Sequence, residues 1–203
     1  MSPDNYAICL LAGGLARRMG GGDKGEIEIA GQTVLSGLID RFSDAPYLFL
    51  NANGDGARFA HYGLDVVPDI LPDHQGPLSG IYAAMAHLRA HHSDVSWLVV
   101  LPTDAPLLPE ALAGDMLKAA QDNAALLVSV SSKGRNHPVI GLWSLSVFER
   151  LQHALIEEGV RKIDAFTAAI GCHYIAYDTQ EDPFVNLNRP EDLAAYRNSL
   201  ATK

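Results

Sequence analysis

The stretch Leu10-Leu11-Ala12-Gly13-Gly14-Leu15-Ala16-Arg17-Arg18-Met19-Gly20-Gly21-Gly22-Asp23-Lys24 decides how this chain is read. It ends the apolar run Tyr6-Ala7-Ile8-Cys9-Leu10-Leu11, which reads as a buried strand. Gly13 and Gly14 follow at once. They have no Cβ, so their backbone N–H groups can turn toward a ligand and approach it closely. Arg17, Arg18 and Lys24 then place positive charge among further glycines. Many donors and much positive charge in a small volume suit a polyphosphate. The plainer alternative is a flexible Gly-rich surface loop, but a linker has no need of these cations.

Two common phosphate motifs are excluded. No Gly-Lys-Ser/Thr follows a glycine at P-loop spacing. Gly20, Gly22 and Gly25 match Gly-x-Gly-x-x-Gly, but a dinucleotide fingerprint puts its first glycine at the strand end, so this match is accidental.

Composition narrows the class. The chain has 203 residues, 48% of them hydrophobic, which fits one globular domain over 1–203 with a sizeable core. No run of about 18 apolar residues is present, so no membrane span is expected. Met1–Asn5 lacks a basic region and leads into a strand, so it is not read as a secretory signal. Cys9 and Cys172 form no Cys-x-x-Cys motif, and a reducing cytoplasm is the expected location. A net charge of −9 argues against nucleic-acid or anionic-membrane partners. A small anionic ligand stays compatible with it.

Strand and helix patterns alternate along the chain. Strands are expected at 6–11, 26–29, 47–50, 65–67, 97–101, 125–130, 138–143 and 174–177. Helices are expected at 33–42, 78–88, 109–120, from about 145, from about 161, and at 190–200. This alternation predicts an α/β fold: three layers, α/β/α, around a mostly parallel sheet, with Trp97–Leu101 central.

In open parallel sheets, ligands gather at the carboxyl ends of the strands. Those ends carry the Gly loop, Asn51 and Asn53, Asp69, and Asp104 between Pro102 and Pro106. Asp104 reads either as a ligand for Mg²⁺, which prefers hard oxygen donors, or as a turn or cap residue before a helix. Gly76-Pro77-Leu78-Ser79-Gly80 reads as a rigid helix start, and spacing does not say whether its N–H groups face a ligand. His137, in Asn136-His137-Pro138, reads equally as a substrate contact or a turn histidine. His87 and His91 stand four apart on a helix without a third ligand and read as a solvent-facing pair.

Leu-Ala-Gly-Gly-x-x-x-Arg-Met-Gly-x-x-Asp-Lys, Leu11 to Lys24, resembles the signature loop of nucleotidyltransferases, and within them the molybdenum cofactor guanylyltransferases. The resemblance covers nearly the whole chain and implies a Rossmann-like nucleotidyltransferase sheet. It implies transfer of GMP from GTP to molybdopterin carrying molybdenum, with Mg²⁺ as cofactor and pyrophosphate released. It assigns Leu11, Ala12, Gly13, Gly14, Arg17, Lys24, Asn51, Asp69, Gly76, Gly80 and Asp104 to the nucleotide, and Asp104 also to the metal. Lys24, Asp104 and Arg18 would carry the catalysis, and His137, Arg161, Lys162, Asn186 and Asn188 the acceptor.

The chain departs from the pattern at Ala16, where relatives often have Ser, at Lys162, where a second Arg is usual, and at Arg189 in place of Thr. Lys cannot reproduce the bidentate fork of Arg on a phosphate. Leu11-Ala12-Gly13-Gly14, rather than Leu-Ala-Ala-Gly, favours GTP over CTP. Transient contacts with proteins that make or receive the cofactor are a further implication. The rival readings are a cytidylyl- or sugar-phosphate nucleotidyltransferase and a non-catalytic nucleotide-binding regulator. The resemblance predicts that Lys24→Ala lowers GTP turnover far more than the thermal midpoint, to be checked by pyrophosphate release beside a melting curve.

Overall fold

The computed structural model describes residues 5–12, 24–29, 31–72, 76–187 and 191–193. Its frame is a seven-stranded sheet built on β1 (Tyr6–Leu11) and β6 (Trp97–Pro102). The two strands pair in parallel from Tyr6↔Trp97 to Leu11↔Pro102. On one side of β1 lie β4 (Leu48–Asn51) and then β5 (Val66–Val67), all parallel. On the far side of β6 lie β8 (Arg135–Ser144), β7 (Leu127–Ser132) and β9 (His173–Ala176). The sheet order is therefore β5-β4-β1-β6-β8-β7-β9, with β6 in the middle. A separate small hairpin joins β2 (Glu28–Ile29) and β3 (Gln32–Thr33).

Continuous apolar strands have both faces to cover. Ile8, Leu10, Val99 and Leu101 face α1 (Val34–Arg41) and α3 (Leu112–Asn123), against Leu35, Leu38 and Met116. Ala7, Cys9, Leu98 and Val100 face the other way. There they meet α2 (Pro77–His91), α4 (Phe148–Ile156) and α5 (Ile163–Ile170), through Leu78, Ile81, Leu151 and Phe166. The expected three-layer, mostly parallel architecture is thus present.

One feature went unread in the sequence. β8 runs antiparallel to both β6 and β7. The β7–β8 turn is Lys133-Gly134, with φ of 47° and 73°. Positive φ at both central residues makes a tight hairpin whose twist matches the strands. The strand expected at 138–143 therefore starts at Arg135. The helix expected from Pro109 starts at Leu112, because Pro109 and Ala111 form the turn that feeds it. Strand pairing around Glu26 begins only at Glu28, since Lys24–Glu26 is a short 3-10 turn. Of the helix expected at 190–200, residues 191–193 are helical and the rest lies outside the described residues. Among the described residues no helix is long and apolar enough to cross a membrane, and Cys9 and Cys172 are free thiols.

The histidine pair on α2 is only half solvent-facing. His91 is exposed, but His87 is partly buried and its Nε2 lies 2.9 Å from the Tyr47 hydroxyl. That hydroxyl donates to Asp65 at 2.8 Å, so its proton is used and Nε2–H of His87 donates to it. His92 stacks on Tyr47 at 3.9 Å between ring centroids. No group of three His, Cys, Asp or Glu able to hold a metal occurs among the described residues. Burial, followed by the nearby His91 and His92, holds the pKa of His87 below the ordinary histidine value, against a smaller opposing pull from Asp65. The unfolded chain therefore takes up this proton first as pH falls. The stability His87 contributes is present above the ordinary histidine pKa and is lost below it. Urea midpoints should fall between about pH 7.5 and about pH 5.5, and His87→Gln should flatten part of that fall.

Candidate active site

A cavity of about 500 Å³ opens at the carboxyl ends of β1, β4 and β6. Leu11, Asn51, Asn53, Asp69, Gly76, Pro77 and Gly80 line one wall; Pro102, Thr103 and Asp104 lie between the walls; 135–140 and Asn186 line the other.

The first wall is organised around Asp69. Asn51, only 4% exposed, donates from Nδ2 to Asp69 Oδ1 and to the Val67 carbonyl, both at 3.0 Å. Asn53 donates to Asp69 Oδ2 at 2.9 Å and accepts from the Asp69 backbone N–H at 2.8 Å. Each carboxylate oxygen is thus fixed by one amide and keeps further lone-pair capacity. Asn51 therefore supports Asp69 in addition to lining the cavity. Helix α2 closes this wall from Gly76, whose φ of 83° suits glycine. A Cβ on Gly80 would lie 2.3 Å from Asn51 Oδ1. Gly80 thus leaves the room that Asn51 occupies.

Between the walls stands the turn after β6. Thr103 donates its hydroxyl to the Leu11 carbonyl at 3.2 Å. Gly25 packs so closely on the other side that an added Cβ would sit 3.3 Å from Thr103 Cβ. Both flanks of the 13–23 stretch, Leu11 before it and Gly25 after it, therefore meet at Thr103, next to Asp104. The Asp104 carbonyl accepts from Leu187 N–H at 2.7 Å, which brings Asn186 to the same place. The cap reading of Asp104 does not hold: α3 begins at Leu112 behind Ala111, without a side-chain cap.

The second wall is the β7–β8 hairpin, deformed at its middle. Pairing jumps from Ser129↔Gly141 to Val130↔His137, so residues 138–140 bulge out of the ladder. Pro138 cannot donate to a ladder and fits such a bulge. The buried Ser129 hydroxyl ties it down by pointing at the His137 and Ile140 carbonyls, 3.1 and 3.0 Å away. The bulge carries His137 to the cavity wall. Its Nε2 lies 2.8 Å from the Ser132 hydroxyl, which donates to Asp182 Oδ1 at 2.7 Å.

Of the residues expected at the site, Leu11, Asn51, Asp69, Gly76, Gly80, Asp104, His137 and Asn186 line this one cavity. Ala12 is buried beside them, its N–H on the Asn51 carbonyl at 2.8 Å. Arg161 and Lys162 are not among the lining residues. Arg161 donates to the Leu155 carbonyl in the last turn of α4 and to the Val160 carbonyl beyond it, although its own carbonyl comes close to Gly76. Lys162 precedes α5 and is exposed. Gly13, Gly14, Arg17, Arg18 and Asn188 lie outside the described residues, as does the Lys24 side chain. Sequence reading missed Arg135, Ser132 and Asp182. A Lys-Gly turn between two alternating strands was the available signal for the hairpin that carries the first two.

The profile of the MobA-like NTP transferase domain matches residues 8–170. The chain belongs to the MobA-like NTP transferase family. Its relatives include a molybdenum cofactor guanylyltransferase of Rhodopseudomonas palustris, 44% identical over 91% of this chain and 89% of that protein. Another, from a Bradyrhizobium species, is 45% identical over 91% of this chain and 88% of that one. Among solved structures, the molybdopterin-guanine dinucleotide biosynthesis protein A of Archaeoglobus fulgidus superposes with a TM-score of 0.78. It is 20% identical, covering 97% of this chain and 100% of that one. The fold of this MobA-like chain is therefore a nucleotidyltransferase fold, and the matched segment contains both cavity walls except Asn186.

The Asn51–Gly80 contact makes a sharp test. Gly80→Ala should destabilise the protein by about 1–3 kcal/mol, because Asn51 is pinned and cannot give way. Gly114→Ala, on an exposed face of α3 with open space around it, should be neutral or stabilising by up to about 1 kcal/mol. Urea denaturation of both variants measures the contrast.

Proposed function

We propose that this protein transfers GMP from GTP to molybdopterin carrying molybdenum, releasing pyrophosphate and forming the guanine dinucleotide of the cofactor. The observation that carries the reading is a single cavity with a fixed carboxylate on one wall, Asp104 in the middle, and the β7–β8 hairpin with His137 on the other. The names of the relatives support the choice of substrates. In this reading residues 1–203 act as one domain in the cytoplasm, with no nucleic acid or membrane partner.

Asp69 is an acceptor whose two oxygens are already oriented by amides. The edge of guanine offers neighbouring N–H donors, whereas cytosine offers acceptors at the corresponding positions. A fixed carboxylate therefore supports GTP over CTP. The described lining contains Asp69 and Asp104 but only Arg135 as a cation. The charge needed to offset a triphosphate would come from Arg17, Arg18 and Lys24, with the amides of 13–22.

A hard divalent cation, Mg²⁺ in our reading, fits the oxygen donors Asp104 and Asn186. Such an ion takes one or two protein oxygens and keeps its waters and substrate phosphates. When bound it would neutralise charge on the α-phosphate. An acceptor phosphate oxygen attacks the α-phosphorus in line, and the bond to the bridging oxygen of pyrophosphate breaks. The attacking acceptor phosphate is already anionic, so the protein needs no nucleophile or strong base. Its work is positioning and electrostatics.

Asp104→Ala should abolish pyrophosphate release from GTP and acceptor while leaving the circular dichroism melt unchanged. Near-normal turnover would remove Asp104 from the reaction. Titration calorimetry with Mg²⁺ should show GTP binding at least about tenfold tighter than CTP, and Asp69→Asn should narrow that gap.

A further inference from the structure

The segment 177–187 crosses the hairpin wall and is tied to it at several points. Tyr177 N–H donates to the Ser131 carbonyl at 2.9 Å, and Lys133 Nζ donates to the Thr179 carbonyl at 2.7 Å. Phe184 packs against the His137 ring, with 5.1 Å between ring centroids. The most informative tie is Ser132. Its hydroxyl, on a residue only 2% exposed, touches both Asp182 Oδ1 and His137 Nε2. Asp182 Oδ1 also accepts from Phe184 N–H at 3.0 Å, so this oxygen is an acceptor toward both neighbours. A hydroxyl has one proton, and here it goes to the carboxylate. The imidazole must then supply the proton of the other bond, so Nε2 carries hydrogen.

Resting on the guanylyltransferase reading, we propose that Ser132 and Asp182 are positioning residues that hold His137 in its Nε2–H tautomer, so that Nδ1 accepts a hydrogen bond from an N–H of the acceptor substrate. The acceptor has two chemistries to be read: an anionic phosphate and a heterocycle rich in N–H donors. Arg135, on the same wall, suits the phosphate. An unprotonated ring nitrogen suits the heterocycle and repels anions. Burial lowers the pKa of His137, Asp182 opposes it with an upward pull, and Arg135 adds a smaller downward one, so the net shift is below the ordinary histidine value and favours the neutral ring near pH 7. Without the Ser132–Asp182 pair, either tautomer would be open to the ring, and the Nδ1–H form would present N–H to N–H.

Nitrogen-15 NMR of the histidine side chains tests the tautomer without any turnover, with His137→Gln supplying the assignment. The expected result is a protonated Nε2 and a bare Nδ1 at neutral pH. A protonated Nδ1, or an even mixture, would overturn the proposal. In Asp182→Ala the Ser132 proton is released toward His137, and the Nδ1–H form should grow; an unchanged spectrum would count against the relay. In steady-state assays Ser132→Ala should raise the KM for the acceptor about tenfold with GTP binding within about twofold of wild type, and Ser132→Thr should restore it. A folded Ser132→Ala enzyme with an unchanged acceptor KM would sink the positioning role. A wild-type protein that releases no pyrophosphate from GTP and acceptor would instead defeat the guanylyltransferase reading, while the NMR result would stand by itself.

Discussion

The parallel pairing of β1 with β6 is the constraint from which the site follows. It sets Leu11 beside Pro102, so two chains of backbone leave the sheet at the same level and in the same direction. Thr103 then hydrogen-bonds the Leu11 carbonyl, and Gly25 returns to pack on Thr103. Leu11 and Gly25, the described residues flanking the Gly-rich stretch, and the turn that carries Asp104 are thereby held side by side. Both strands bury both faces, Ile8 and Val99 toward one helical layer and Cys9 and Val100 toward the other. Shifting either strand by one residue would move every one of these side chains to the wrong layer.

Around that junction the two walls use the same device with opposite chemistry. On one, two asparagines hold a carboxylate as a fixed acceptor. On the other, a serine and a carboxylate hold an imidazole by one of its nitrogens. In both cases the group that lines the cavity is oriented by neighbours before any ligand arrives, which lowers the ordering cost of binding. The direction of the strands divides the walls: the Asp69 wall follows parallel strands, and the His137 wall is an antiparallel hairpin laid against β6.

Much of this was legible in the residues. Uniform apolar runs identified β1 and β6 and put β6 at the centre, because only a strand covered on both faces lacks alternation. Polar residues just past strand ends, Asn51, Asp69 and Asp104, pointed to the cavity rim. The hairpin was less legible. Lys133 at positive φ is unusual for its residue type, and β8 contains Pro138, which argues against a strand until the bulge accommodates it. Arg161 was assigned to the acceptor by resemblance; in the structure its guanidinium donates to the Leu155 and Val160 carbonyls.

The sequence alone determined the layered fold and the chemistry at the strand ends, because burial and turn formation are local in pattern: a run of side chains either can or cannot sit in a core. Tertiary structure decided which groups meet. Asn51 and Asp69 are 18 residues apart, and Ser132 and Asp182 are 50 apart. No periodicity encodes a hydrogen bond across such distances. Gly80 makes the point most simply: the resemblance assigns it to the nucleotide, and the structure adds that the Asn51 oxygen rests where its side chain would begin.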